Sequence, residues 1–372
     1  MKLKLKKIYF IVLLIAIPTF SYSVAGTFIP LKSDYVSDAV IDENYTLQPS
    51  DVSPTNFTGI LFQGFDTMNI NPNATLTVNV KTQGNYLGYS GAIFRGQNGS
   101  TYTVNGGNLV FNIDQIQKQG LGIEGLIMTQ AKYYGKNANF DFNTNFYLKA
   151  SPNVYIQRGV FTSNGDNGGY FKFTKNVSID VSQMQPSDGW GLRNNGKGYR
   201  MIFSLEGSGA VYLNYDEATG KTLDPNNIIQ LKGDLSAEST SKGNININLD
   251  NSQSYFQGRI SIAAGSKSNI ELYLNHGGKW ILNANSQITT LDANNETFVV
   301  NNQYGNIDKL AVIDFTQVAD DGISHRLTST DPFSPRTLKV STINGENGVF
   351  RLMSDLSLGK TDTITAGNVN GL

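Results

Sequence analysis

The sequence predicts an all-β fold, a single-stranded right-handed parallel β-helix (β-solenoid) with an N-terminal cap. Short runs of alternating apolar and polar residues, each about four to six residues long, recur about every ten residues. No segment of helical period separates these runs, and no linker rich in Pro or charge interrupts them. The turns are rich in Asn, which tolerates left-handed backbone and can form hydrogen-bonded ladders between stacked coils. These observations favour a solenoid over a β-sandwich.

The composition indicates a large, repetitive core in an exported chain. The 372 residues include 38 Gly and 10 Pro, and 16% are charged while 11% are aromatic. A disordered chain would contain more charge and fewer aromatic residues. Cysteine is absent, so an exported protein of this composition must draw its stability from its core rather than from disulfides.

Residues 1–25 have the pattern of a secretory signal peptide. Four lysines among the first seven residues precede an apolar run of ten residues, Ile8–Ile17, and small residues then permit cleavage after Ser23 or Ala25. Ten apolar residues are too few to span a bilayer. Removal of this segment leaves 25 basic and 30 acidic residues, a net charge of −5, which argues against binding to nucleic acid or anionic lipid.

The rest of the chain divides into three predicted parts. Residues 26–58 are polar and weakly patterned, as expected of a cap over the open end of a solenoid. Residues 59–231 would form a β-helix with loops, and residues 232–372 its C-terminal portion. At about 20–25 residues a coil, about fourteen coils would stack into a rod about 65–70 Å long. Asp114–Lys132 contains three glycines that oppose a helix, so we expect a loop outside the rod.

One face of each alternating run is apolar and is predicted to fill the core. These positions are Leu76, Val78, Val80, Leu109, Phe111, Ile113, Phe140, Phe142, Phe146, Leu148, Phe171, Phe173, Val177, Ile179, Val181, Met201, Phe203, Leu205, Val211, Leu213, Tyr215, Ile245, Ile247, Leu249, Ile260, Ile262, Ile270, Leu272, Leu274, Trp280 and Leu282.

The segment Gly345–Gly367 is predicted to be a strand–turn–strand unit, in which Asp362 stands at the entrance to the second strand. It resembles the C-terminal segment of pertactin-like autotransporter passengers, where a short Phe-bearing strand precedes an acidic strand. The residues of this resemblance are Gly348, Phe350, Leu352, Asp355, Leu356, Asp362 and Ile364. In that family the segment completes the β-helix and helps it to fold outward, so the resemblance implies that it acts here as a folding segment.

Further motifs similar to that family span about residues 232–367. Gly277–Leu282, followed by Ser286 and Leu291, resembles a coil of the family that bears a tryptophan, and Leu310–Val312 follows in the expected order. The resemblance implies a passenger of type V secretion, exported to the cell surface, the outer membrane or the medium, as a virulence-type adhesin. The implied partners are surface molecules of host or neighbouring cells. The sequence shows no counterpart of the family's C-terminal β-barrel translocator, so by this resemblance we expect a truncated, split or deliberately cut product, and the expected location is the periplasm if the barrel is truly missing.

The sequence offers no convincing catalytic, cofactor or metal site, and we predict none. Gly165–Gly169 resembles a serine-protease turn, but Asn167 occupies the nucleophile position and has no hydroxyl. Gly220–Thr222 resembles the end of a phosphate-binding loop without its first glycine or its helix, and is expected to be a surface turn. Asp320, Asp321 and His325 fit a turn better than a metal site.

Two other functions stay open from the sequence. A β-helix polysaccharide lyase or hydrolase would bring carboxylates and basic residues together, and the pairs to consider are Asp250 with Arg259 and Glu271 with Lys279. A structural surface or fibre protein would instead stack through an open edge. Exposed tyrosines could form a binding surface. The candidates are Tyr133, Tyr134, Tyr147, Tyr155, Tyr170 and Tyr199.

Overall fold

The computed structural model describes residues 38–41, 44–47, 67–82, 92–96, 99–116, 125–130, 138–164, 168–187, 198–294, 310–316, 333–346 and 348–371. They form 29 strands joined by turns and bends, with no helix in these ranges. Accordingly, this part of the chain contains no helix long and apolar enough to cross a membrane.

The strands follow in chain order, and their labels are used below. They are β1 (Asp38–Ile41), β2 (Tyr45–Leu47), β3 (Thr67–Ile70), β4 (Thr75–Thr82), β5 (Ala92–Gly96), β6 (Thr101–Ile116), β7 (Gly125–Gln130), β8 (Asn139–Ala150), β9 (Gly159–Asn164), β10 (Tyr170–Phe173), β11 (Val177–Asp180), β12 (Met201–Leu205), β13 (Ala210–Leu213), β14 (Tyr215–Asp216), β15 (Lys221–Thr222), β16 (Ile229–Lys232), β17 (Asp234–Ala237), β18 (Asn244–Asp250), β19 (Tyr255–Gln257), β20 (Ile260–Ile262), β21 (Asn269–Asn275), β22 (Lys279–Ile281), β23 (Ser286–Ala293), β24 (Val312–Asp314), β25 (Thr337–Asn344), β26 (Val349–Arg351), β27 (Ser354–Asp355), β28 (Lys360–Thr361) and β29 (Thr363–Asn370).

The strands form three parallel ladders, so the chain is a parallel β-helix and the predicted fold class is confirmed. The first ladder, called sheet 1 here, runs β1, β3, β6, β8, β10, β13, β18, β21, β23, β25, β29. Sheet 2 runs β2, β4, β6, β8, β11, β16, β19, β22, β24, β26. Sheet 3 runs β5, β7, β9, β12, β17, β20. Two short hairpins, β14–β15 and β27–β28, are antiparallel.

Within the ranges that the structure describes, the coils are fewer and far less regular than the expected fourteen coils of about 20–25 residues. Sheet 1 has eleven rungs, so its ten steps of about 4.8 Å span about 48 Å rather than 65–70 Å. One step covers 19 residues, from Glu271 to Thr290, and the next covers 52, from Thr290 to Thr342. The estimate was wrong because insertions at the corners lengthen individual coils without adding rungs.

The interior is filled by the inward-facing residues of the three sheets. Almost all the positions predicted for the core are buried, and the largest are Trp280 and a set of phenylalanines. Phe140 stacks on Phe171 at 5.4 Å between ring centroids and Phe142 on Phe173 at 4.8 Å, one rung above the other. Such pairs add about 0.5–1.5 kcal/mol to the burial of their area. Two exceptions are Ile262, which is half-buried, and Tyr215, which lies outside the core.

Tyr215 leaves the core because the preceding residue turns the chain outward. Asn214 has a φ of 50°, a left-handed conformation that ends β13. Its side chain donates to the carbonyl of Asp224 at 2.9 Å and accepts from the backbone N–H of Asp224 at 3.0 Å. Asn214 therefore links the start and the end of the segment that contains the hairpin β14–β15. The predicted surface turn at Gly220–Thr222 lies in this hairpin and is confirmed.

Part of Asp114–Lys132 belongs to the rod, contrary to the prediction of a loop. Residues 125–130 form β7, which pairs on both sides within sheet 3. Leu126, Ile127 and Met128 are all fully buried. The expectation was wrong because both faces of this strand are covered, so its apolar residues are consecutive and do not alternate.

The described parts of residues 26–58 are β1 and β2, which pair in parallel with the next coil. At the other end, the backbone of Gly345–Gly367 forms β26, the hairpin β27–β28 and the first half of β29. Asp362 is buried just before β29, where its carboxylate accepts hydrogen bonds from the backbone N–H groups of Arg336 and Met353. The predicted strand–turn–strand unit and its acidic entrance are therefore present.

Candidate binding surface

At both ends of sheet 1, the outward-pointing polar side chains form ladders in which they hydrogen-bond to one another. Near the N-terminal end, Asn143 donates to Asn105 at 3.1 Å, and Asn105 donates to Asn69 at 3.0 Å. Near the C-terminal end, Asn370 donates to Asn344 at 2.9 Å, which in turn donates to the Asp292 carboxylate at 2.7 Å. These contacts confirm the predicted Asn ladders. Between them the same positions carry different side chains.

Over the middle rungs, from β8 to β23, the outward positions of sheet 1 carry tyrosines and carboxylates among asparagines and other residues. We call this surface the tyrosine–carboxylate strip. It consists of Asp141, Tyr170, Lys172, Tyr212, Tyr215, Glu217, Asn248, Asp250, Glu271, Tyr273 and Asp292. Alternation along each strand places these side chains outside while the intervening apolar residues fill the core. Five steps separate β8 from β23, so the strip is about 24 Å long.

The N-terminal half of the strip is a tyrosine cluster with one ion pair. The Tyr170 hydroxyl donates to the Asp141 carboxylate at 3.3 Å. The Tyr170 and Tyr212 ring centroids are 6.3 Å apart, and Tyr212 stacks on Tyr215 at 5.6 Å with 12° between the ring planes. The rings therefore form a continuous aromatic surface that crosses two rungs and reaches the hairpin.

The hairpin β14–β15 is held over this surface by a charge pair. Lys172 Nζ lies 2.7 Å from Glu217 Oε1, next to the Tyr212–Tyr215 stack. Both partners are partly exposed, so the pair contributes at most about 1 kcal/mol. Its main consequence is positional, because it ties the residue after β14 to β10 of the rod.

The C-terminal half of the strip lies where the hairpin packs against β18. β14 and β15 both contact β18, and Asn248 is only 3% exposed although it points outward. The Asn248 amide nitrogen and the Thr222 hydroxyl are buried and have no hydrogen-bond partner within the described part of the chain. Buried polar groups are nearly always hydrogen-bonded, so this junction contains two polar groups that the protein itself leaves unsatisfied.

The pKa values of the tyrosines in the strip are raised above the ordinary value of 10.0. Burial raises the pKa of the Tyr170 hydroxyl to about 12, and the Asp141 carboxylate adds to the shift. Burial also raises the pKa of Tyr212, Tyr215 and Tyr273, in each case with a neighbouring carboxylate adding to it. Burial raises the pKa of Asp141 itself. At physiological pH the strip therefore presents neutral phenol hydroxyls, which can donate hydrogen bonds, among carboxylate acceptors.

The carboxylates of the strip are distributed so that like charges do not face one another. One outward column reads Asp141, Lys172, Tyr212, Asn246, Glu271 from rung to rung. Like charges directly opposite each other in a sheet are destabilising. This spacing keeps the surface negatively charged without the repulsion between facing carboxylates. Such a surface suits a partner that offers hydrogen-bond donors together with either apolar ring faces or cations.

The two acid–base pairs considered for a carbohydrate-active enzyme are not brought together. The Asp250 carboxylate lies 2.5 Å from Nδ1 of His276, a residue with φ of 45° in the turn after β21. Arg259 instead pairs with buried Asp234 at 3.1 Å. Glu271 accepts a hydrogen bond from the Asn269 amide in sheet 1, whereas Lys279 belongs to β22 in sheet 2. Nothing in the spacing along the sequence demands either pair, and in the structure each residue named has a different partner or sheet.

The remaining sequence candidates are dispersed. Tyr147 is 37% exposed on sheet 2, while Tyr155 and Tyr199 are buried, so neither of these two is an exposed aromatic. Tyr199 lies beneath Arg259, whose guanidinium carbon is 3.6 Å from the ring centroid. Of the six tyrosines proposed, Tyr170 belongs to the strip. Tyr133 and Tyr134 lie outside the described residues.

The motifs set aside in the sequence are only partly described. Gly168 and Gly169 have φ of 76° and 97°, as expected of a glycine turn, whereas Gly165–Asn167 lies outside the described residues. Asp320, Asp321 and His325 also lie outside them, as do Ser23 and Ala25. Within the ranges that the structure describes, no group of three or more potential ligands could hold a metal ion.

The residues of the folding segment differ in their surroundings. Phe350 and Ile364 are half-buried and pack on the core at its last rungs, where Phe350 pairs with Ile313. Gly348 precedes β26, and Asp355 lies in the exposed hairpin, where Ser357 donates to it. Leu352 and Leu356 are exposed, at 43% and 93%. The apolar contribution to the core therefore comes from Phe350 and Ile364.

Comparison with known proteins adds no relative. No family model matches the chain, and neither a curated protein nor a solved structure shows a significant match. The resemblance of residues 232–367 to pertactin-like passengers therefore depends on their sequence motifs alone.

Sequence reasoning missed Tyr212, Tyr273 and Glu271 as members of one surface. Each stands at a polar position of an alternating run, so the sequence does indicate that it points outward. Their alignment in columns depends on the register between coils, which the variable coil lengths conceal.

Proposed function

We propose that this protein is a surface-displayed binding rod, an exported passenger of the autotransporter type that acts as an adhesin without catalysis. The tyrosine–carboxylate strip is the observation that supports this most. It places half-buried tyrosine rings on β10, β13 and β21, between the Asn ladders at the two ends of sheet 1, and tyrosine is enriched where proteins contact their partners. The signal-peptide pattern of residues 1–25 supports export.

The shape of the β-helix suits this role. Each rung adds stability through contacts with its neighbours only, so the rod can extend a surface outward in small increments. A core of stacked apolar side chains continues beneath the strip, as at Val211, Ile245 and Ile270. Changes on the outer face can therefore alter recognition with little effect on the fold.

The experiment measures binding of purified rod, residues 26–372, to cultured epithelial cells and to bacterial cells. The wild-type protein is expected to bind at least one cell type, and Tyr212→Ala with Tyr215→Ala is expected to abolish most of that binding. Tyr147→Ala is the matched control, since Tyr147 is exposed on sheet 2. Equal binding by all three proteins, or no binding by any, would refute the proposal. Fractionation of the producing cells tests export separately.

A further inference from the structure

The C-terminal half of the tyrosine–carboxylate strip has the chemistry to bind cationic side chains, and this inference rests on the proposed binding function. We propose that the partner is a basic polypeptide that places arginine side chains on Glu271, Tyr273 and Asp292. Three observations support it. An arginine is held in the same way elsewhere in the chain, a lysine is built into the other half of the strip, and the strands that carry these three residues contain neither lysine nor arginine.

Arg259 shows how this chain binds a guanidinium group. Its guanidinium carbon lies 3.6 Å from the ring centroid of Tyr199, and its Nη2 lies 3.1 Å from Oδ2 of Asp234. Because a guanidinium group is planar and weakly hydrated, it can stack on an aromatic ring and bond to a carboxylate at the same time. A tyrosine beside a carboxylate is therefore a combination that already binds arginine in this fold.

The N-terminal half of the strip holds a cation that belongs to the chain itself. Lys172 lies directly opposite Asp141 on one neighbouring strand and opposite Tyr212 on the other. Its Nζ is 2.7 Å from Oε1 of Glu217. A positive side chain among the tyrosines and carboxylates of this surface is thus part of the fold, and in this half the chain supplies it.

The C-terminal half repeats the tyrosine and the carboxylates without the lysine. Tyr273 on β21 lies directly opposite Asp292 on β23, and Glu271 stands two residues before Tyr273 on the same face of the sheet. All three residues are partly exposed. The carboxylates of Glu271 and Asp292 accept hydrogen bonds from the neutral amides of Asn269 and Asn344, at 2.8 and 2.7 Å. These bonds leave both negative charges on the surface, where they favour a cationic partner.

The spacing of these groups suits a polypeptide better than a small cation. Glu271 and Asp292 are one rung and two residues apart, which places their Cα positions about 8 Å from each other. An extended segment presents alternate side chains about 7 Å apart on one side, so two of its cationic side chains can reach both carboxylates. The aliphatic part of each side chain can cover the Tyr273 ring while the charged group bonds to a carboxylate. A compact ammonium ion would engage one carboxylate and leave the ring uncovered.

The test measures binding of fluorescent peptides to the purified rod by fluorescence anisotropy. The peptides have equal length and carry arginine, lysine or glutamine at every second position among glycines and serines, and a labelled chitosan oligomer serves as a cationic sugar probe. The arginine peptide is expected to bind most tightly, and the glutamine peptide is expected not to bind. Glu271→Gln with Asp292→Asn should weaken binding of the arginine peptide by about tenfold. Tyr273→Leu should weaken it by about threefold.

The matched control is Asp180→Asn with Asp355→Asn, which removes two carboxylates from other parts of the rod, sheet 2 and the hairpin β27–β28. It changes the net charge by the same amount as Glu271→Gln with Asp292→Asn, so it reports any general attraction of basic peptides to an acidic protein. The control is expected to leave peptide binding unchanged. All these variants are expected to keep the wild-type melting temperature, since each amide oxygen can still accept a hydrogen bond.

Four outcomes would overturn the inference: equal losses in the two double variants, equal binding of the glutamine and arginine peptides, binding of chitosan alone, or binding of none of the probes. A lysine peptide that binds more tightly than the arginine peptide would overturn the assignment of arginine. Cell binding separates these failures from failure of the proposed function. If Tyr212→Ala with Tyr215→Ala abolishes cell binding and Glu271→Gln with Asp292→Asn does not, the strip is adhesive and the basic partner alone is wrong.

Discussion

The buried ion pair of Asp234 and Arg259 makes a quantitative prediction about stability. The Asp234 carboxylate accepts from the backbone N–H groups of Arg200 and Arg259, at 3.0 and 3.1 Å, and from the Arg259 guanidinium at 3.1 Å. Asp234 is 4% exposed and Arg259 is 9% exposed. Asp234→Ala leaves two buried N–H donors without this acceptor and the Arg259 cation without its counter-ion, although the guanidinium still donates to the carbonyl of Gly198. Breaking such a pair from one side costs about 3–5 kcal/mol.

Matched variants separate this effect from ordinary surface electrostatics. Lys172→Met breaks an exposed pair, which is expected to cost less than about 1 kcal/mol. Arg259→Met leaves Asp234 with its two backbone donors, so it should cost less than Asp234→Ala. The double variant Asp234→Ala with Arg259→Met should lose less than the sum of the two single losses, because contacting residues are coupled.

Trp280 offers a local probe of the same site. Its indole N–H donates to the carbonyl of Gly258 at 3.1 Å, one residue before Arg259. The chain has two tryptophans, so a Trp190→Phe background isolates the signal from Trp280. Urea titration followed by fluorescence then gives the free energy of unfolding around the pair, which matters because a solenoid need not unfold as one unit. An Asp234→Ala loss no larger than that of Lys172→Met would refute the reasoning.

Two further predictions concern the strip at high pH and the C-terminal rungs. The pKa of Tyr170 is raised from an ordinary value of 10.0 to about 12 in the folded protein. The stability linked to its neutral form is therefore complete below pH 10 and is lost as pH rises toward 12. Tyr170→Phe should remove this part of the alkaline unfolding transition measured by circular dichroism, and an unchanged transition would contradict the prediction. Phe350→Asp should make the C-terminal half sensitive to protease, as expected if Gly345–Gly367 is the folding segment, whereas Leu356→Asp, at a 93% exposed site, should not. Equal resistance of both variants would exclude that role.

The sequence predicted the inside of the rod better than its outside. Each inward position is defined by alternation over a few residues, so Phe171, Phe173 and Leu213 could be assigned to the core from their own strands. The Asn ladders were likewise predictable, since the side chain itself favours them. In contrast, β7 was missed because its buried residues Leu126–Met128 do not alternate, and periodicity cannot distinguish such a run from other apolar segments.

The site could not be predicted because it depends on register between coils. Tyr273 lies opposite Asn248 only because the coil between them is 25 residues long, and the neighbouring steps differ widely in length. The same uncertainty left the pair of Asp250 with Arg259 open in the sequence. In the structure β20 pairs with β17 in sheet 3, with Leu235 opposite Ile260, and this pairing places Arg259 beside Asp234 instead. Which residues stack above one another on successive rungs is thus set by the tertiary structure, whereas the inward or outward direction of each side chain is set by its own strand.

The position of the strip between two ladders is itself an argument for function. Asn and Thr ladders satisfy the outward polar groups of sheet 1 at both ends, for example at Asn105 and Asn344. The middle rungs add half-buried tyrosines and carboxylates to their asparagines, and at Asn248 they leave a buried donor unsatisfied, which costs about 1–3 kcal/mol. Stability alone would favour continuing the ladder. A surface that departs from the ladder above an uninterrupted core therefore supports the proposed binding role.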